Sequence, residues 1–231
     1  HTEAALAARH DISRTYVERA RALRARGLRR EALATVAQAT DLTPEYAQAW
    51  AEQGDDHLAL GEREDARDCF ELALAHAHAP DCVAARLGMS RMLRAAGDIA
   101  AAHAHILHAL QIAPDDADLH FESALVMSRR GDVPGVITAY ERVLELRPDD
   151  VAACSNLGLE YLSHSGDARR AQRCFERAVT LDPSCVAAQA NLGLALEEQG
   201  DVAAAFAHYA KLIDAHPSES EYRWNRGLAL L

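Results

Sequence analysis

Small and large apolar positions recur along this chain with a period far longer than one helix or strand. Ala20, Gly54, Gly88, Ala124, Gly158, Gly193 and Gly227 form a small-residue series. Ala32, Ala66, Ala102, Val136, Ala171 and Ala205 form a second, again mostly of alanine. Val36, Phe70, Ile106, Tyr140, Phe175 and Tyr209 form a third, and its members are large. Each period holds two helical patterns. Small residues set against large ones let paired helices approach closely and interlock.

The breaks between the patterns share the period. Gly27, Gly61, Gly97, Gly131, Gly166 and Gly200 are separated by 34, 36, 34, 35 and 34 residues. Pro44, Pro80, Pro114, Pro148, Pro183 and Pro217 are separated by 36, 34, 34, 35 and 34. Only Pro134 stands outside the proline series. Glycine supplies the left-handed conformation that ends one helix, and proline stops the next. An acidic residue after the glycine, as in Gly97-Asp98, Gly131-Asp132 and Gly200-Asp201, predicts a cap on the second helix. The acidic pairs Asp115-Asp116 and Asp149-Asp150, in turns before helices, fit the same role.

The unit is therefore helix, tight turn, helix, proline turn, and it repeats. The repeats are expected at 13–46, 47–82, 83–116, 117–150, 151–185 and 186–219, with residues 1–12 as a flank or the end of a preceding helix. Residues 220–231 read as the first helix of a truncated seventh repeat. Two extra residues fall in His76-Ala77-His78-Ala79 and one around Ser163-His164-Ser165, both outside the helix middles.

Segments such as NLGLALEEQGDVAAAFAHYAKLIDAHP (191–217) and NLGLEYLSHSGDARRAQRCFERAVTLDP (156–183) resemble the tetratricopeptide repeat (TPR) family. The likeness covers nearly the whole chain. It is poorest in the first repeat, where Leu28 follows the turn glycine and Arg19 takes a usually apolar place. The resemblance implies an all-α, right-handed superhelical solenoid of antiparallel hairpins, with first helices on the concave wall.

Composition narrows the function. Apolar residues make up 49% of the 231, enough for a sizeable core, while the net charge of -11 excludes a general nucleic-acid binder. No long uncharged apolar run suits a membrane-inserted segment. Five cysteines without a C-x-x-C spacing, and a start that is not a secretory signal, point to a reducing, cytoplasmic setting.

The resemblance places six positions of each first helix in the groove. The sixth reads Glu18, Glu52, Gly88, Glu122, Asn156, Asn191 and Asn225. Asparagine offers an acceptor and two donors, so a ladder of three can hold a peptide backbone without reading its sequence. The TPR superhelix of O-linked N-acetylglucosamine transferases carries a similar ladder. Arg21, Arg24, Arg91 and Arg94 lie at other groove positions, with Trp224 in the last helix. These residues, with Glu52 and Glu122, are the candidate ligand contacts. The basic set of chaperone-binding TPR domains is incomplete here.

No catalytic triad, phosphate loop, metal-ligand spacing or cofactor motif is legible, so no enzyme activity is expected of this chain. His103, His105 and His108 read as outer-surface residues. The leading function is a protein-interaction scaffold holding an extended peptide or partner segment in its groove. One alternative is the recognition arm of a larger bacterial glycosyltransferase-like enzyme, since the ending at 222–231 is similar to the last repeats of such proteins. Another is self-association into a homo-oligomer through an uncapped C-terminal end.

Overall fold

The computed structural model describes residues 2–76 and 82–215. Two compact units divide the chain, His1–Glu122 and Ser123–Leu231. In chain order the described helices are α1 (Thr2–Ala25), α2 (Arg29–Leu42), α3 (Ala47–Leu60), α4 (Arg63–Ala75), α5 (Val83–Ala96) and α6 (Ile99–Ile112). Then follow α7 (Ala117–Arg130), α8 (Val133–Leu146), α9 (Val151–Ser163), α10 (Ala168–Leu181), α11 (Val186–Glu198) and α12 (Val202–Ala215). The expected seventh-repeat helix, with Trp224 and Asn225, lies outside the described residues, as do Ala77, His78 and Ala79.

The turn chemistry follows the sequence. All six periodic glycines take positive φ, +89° at Gly97 for example, where a Cβ would be strained. Asp98, Asp132, Asp167 and Asp201 then each accept the backbone N–H three residues on, at 3.0–3.1 Å. Asp150 caps α9 likewise, through Ala153 N at 2.9 Å. Pro134 is also explained: it sits in the first turn of α8, where a missing N–H leaves no bond unmade.

The three apolar series form the core. Their described members are all buried. A Cβ on Gly158 would lie 2.6 Å from the Phe175 ring, and one on Gly193 2.2 Å from Tyr209. Phe70 is pinned from two sides, by Gly54 and Gly88, whose added Cβ atoms would lie 2.6 and 2.3 Å from it. Gly88 packs on that ring, but the residue of α5 in register with the rest of the small series is Ser90, two places on and also fully buried. Within the first unit α1 touches α3 and α3 touches α5; within the second, α9 touches α11. The first helices of successive hairpins thus form a wall in each unit, with second helices behind.

A further tie recurs at the proline turns. Trp50 Nε1, His120 Nε2 and Gln189 Nε2 each bond the carbonyl of the proline six residues earlier, Pro44, Pro114 and Pro183, at 2.5–2.7 Å. A proline carbonyl only accepts, so His120 donates from Nε2. Where this place holds the short Cys154, the Pro148 carbonyl accepts from Arg177 of α10 instead. Among the described residues, no helix is long and apolar enough to cross a membrane.

Candidate functional site: the first-helix walls

In the first unit, the wall is a ladder of alternating charge. Arg21 and Arg24 project from α1, Glu52, Asp55 and Asp56 from α3, Arg91 and Arg94 from α5, and Glu122 from α7. Arg21 reaches Glu52 Oε1 through Nε and Nη2 at 2.9 and 2.6 Å. Arg24 grips Asp56 in bidentate fashion at 2.8 and 3.0 Å and bonds Glu52 Oε2 through Nη1. Arg94 forms a second fork on Glu122, at 2.8 and 3.1 Å, and Ser90 Oγ adds a bond to the same carboxylate at 3.3 Å. Planar guanidinium forks match carboxylates in charge and geometry.

This arrangement changes how the candidate residues read. Arg21, Arg24, Glu52, Arg94 and Glu122 partner one another across neighbouring helices. Asp56 was missed, because it falls outside the six groove positions; it is fully buried beneath Arg24 and Arg29. Burial works to raise the Glu52 carboxyl, but the Arg21 hydrogen bond and the Arg24 charge outweigh it, and its pKa falls below the ordinary value. Asp55 moves the other way. Burial pushes it up to about 6, against the charge of Arg91 on α5. Arg91 is half-buried.

The second unit has a different wall. Asn156 on α9 and Asn191 on α11 are both half-buried. Asn156 Nδ2 donates to the Tyr140 hydroxyl at 3.1 Å, which fixes the amide and assigns the free side of its carbonyl oxygen as an acceptor. One turn further along each helix stands a leucine. Leu159 is exposed and Leu194 half-buried. The pairing Asn-x-Gly-Leu at 156–159 and 191–194, with Asn225 and Leu228 in the same spacing, was legible in the sequence as a repeated four-residue string.

One group of side chains has metal-ligand proximity. His57, Glu62 and Asp65 place one ligand atom each within 4.8 Å of one another at the α3–α4 turn. His57 Nδ1 and Glu62 Oε2 already lie 2.7 Å apart, and Asp65 complements the first turn of α4. His103, His105 and His108 are half-buried rather than fully outer-surface residues, and burial beside Arg86 lowers the His105 pKa.

A tetratricopeptide repeat model matches residues 51–117 and 156–220, more than half of the chain. No curated protein matches the chain in sequence. Among solved structures, PilF of Pseudomonas aeruginosa superposes with a TM-score of 0.80 at 15% identity, over 95% of this chain and 99% of that one. The Cut9–Hcn1 hetero-tetramer of the APC/C gives 0.76 at 16%, over 95% of this chain, which spans only 43% of that chain's length. YrrB, a TPR protein with an unusual peptide-binding site, gives 0.55 at 20%, over 75% and 88%. At these identities the likeness is one of fold, and a likeness to glycosyltransferase-like proteins is not shown. By its family match and by the hairpins that carry it, this chain belongs to the tetratricopeptide repeat family, a fold of protein-interaction scaffolds.

Proposed function

We propose that this chain binds an extended segment of a partner protein along the first-helix wall of its second unit. The observation that carries the reading is the repeated pair of an amide and an apolar side chain. Asn156 and Leu159 on α9 recur as Asn191 and Leu194 on α11. The Asn156 carbonyl is oriented by Tyr140, so its acceptor is pre-set for a ligand backbone N–H. The leucine beside it offers an apolar seat for a ligand side chain. Asn225 belongs to the same proposal through its sequence register.

The first-unit charges take a separate part. Their cross-helix forks tie α1 to α3 and α5 to α7, and the outer edges of Arg21 and Arg91 are left to meet a ligand's own charges. Arg21 is 45% exposed at its side chain even while bonded to Glu52. Exposed ionic contacts of this kind add little affinity but steer orientation. The backbone clamp is therefore the energetic centre of the proposal.

The test uses peptides selected on the immobilised chain from a random library. Replacing Asn156, Asn191 and Asn225 together by alanine is expected to weaken a selected peptide about tenfold or more, with the thermal midpoint lowered only slightly. Equal affinity in the triple variant would place the peptide elsewhere and end this reading.

A further inference from the structure

The second unit carries a cleft that the wall does not use. It opens between α8 and α10, with α9 as its floor, and encloses about 520 Å³. Leu144, Leu157 and the ring of Tyr161 supply an apolar base. Along one side run Arg170, Arg173 and Arg177 of α10, all exposed. Their spacing of three and four residues sets them on one helical face, over roughly 10 Å.

Each arginine has a different anchorage. Arg170 lies over the Tyr161 ring, 5.5 Å from its centroid, and meets Asp167 at 3.2 Å. Tyr161 is held in turn by its hydroxyl bond to Glu141, at 2.8 Å. Arg177 is tied to the Pro148 carbonyl. Arg173 has no partner among the described residues. Cys174 also lines the cleft, and burial pushes its thiol up to about 11, so it stays neutral and adds no negative charge. Glu141 of α8 also lines the cleft, its carboxylate held by Tyr161, so three guanidinium groups there outnumber one lining carboxylate in a chain of net charge -11.

We propose that this cleft docks an acidic amphipathic helix of a partner protein, with carboxylates facing Arg170, Arg173 and Arg177 and one apolar side chain seated on Leu144 and Leu157. Charge complementarity selects the occupant. Three cations in a row on one helix match carboxylates at the same helical spacing on another. The apolar base demands an anchor that a bare polyanion lacks. The site is independent of the asparagine wall, so the two proposals stand or fall separately.

The probe is a fluorescently labelled helical peptide of about four turns, with Glu on one stripe and a central Leu beside it. Anisotropy titrations on the full chain are expected to show salt-sensitive binding. Arg173→Glu should weaken it about tenfold, since it removes a cation without breaking a described bond. A second substitution, Leu144→Gln, should weaken it similarly, while the triple asparagine variant should bind as wild type does. Undiminished binding by Arg173→Glu, with helicity intact by circular dichroism, overturns the proposal. So does equal binding of a probe whose Leu is replaced by Gln, or equal displacement by a short single-stranded oligonucleotide, either of which marks a non-specific polyanion surface.

Discussion

At the scale of single residues, stability rests on the fit of small against large. Phe70 is fully buried, and both neighbouring glycines sit closer to its ring than any Cβ could. Gly88→Ala is expected to destabilise the first unit by roughly 1–3 kcal/mol through overpacking, read as a lower thermal midpoint. Trimming the ring with Phe70→Leu in the same chain should recover part of that loss, because the two changes share one contact. Asp55 supplies a second residue-level test. Its folded pKa, about 6, lies above the ordinary carboxylate value, so folding favours its protonated form. Its contribution is therefore fully present below about pH 4 and is lost as pH rises through about 6. Asp55→Asn should match wild type near pH 4 and exceed it by about 1–2 kcal/mol at pH 7, in denaturation curves at both values. A constant difference across that range would count against the buried carboxylate.

At the scale of elements, what joins the first helices differs between the units. In the first, guanidinium forks bridge α1 to α3 and α5 to α7. Glu52→Gln removes one charge from beneath Arg21 and Arg24, and should cost roughly 1–3 kcal/mol in denaturant unfolding at neutral pH. The same bond predicts acid lability. Because the Glu52 pKa is lowered on folding, its contribution is present above the ordinary glutamate range and is lost as pH falls below it. The variant's deficit should then shrink in acid. Helices, turn glycines and aspartate caps were legible in the sequence because each depends on local backbone chemistry that one residue type serves. The proline ties were not, since Trp50, His120 and Gln189 share only an N–H at the right reach. The charge pairing was half legible. Arg21, Arg24 and Glu52 stood out as charged groove positions, but that they would spend their charge on one another depends on packing between repeats, which spacing within one repeat does not encode.

At the scale of the whole molecule, the two binding proposals rest on two kinds of surface on one family of hairpins. One is a wall of paired asparagines and leucines, and the other a cleft of arginines over an apolar base, both in the second unit. The exposed groups of both, Leu159 and the three arginines, lie outside the core, while the base of the cleft, Leu157 and Tyr161, belongs to it. The central claim is that the wall holds a ligand by its backbone. A calorimetric N-methyl scan of a selected peptide tests it most directly, since each methyl removes one ligand N–H and leaves the side chains unchanged. The account predicts a loss of about tenfold or more at spaced positions, those whose N–H meets an asparagine carbonyl, and near-parent affinity elsewhere. Parent-like affinity at every methylated position would contradict it.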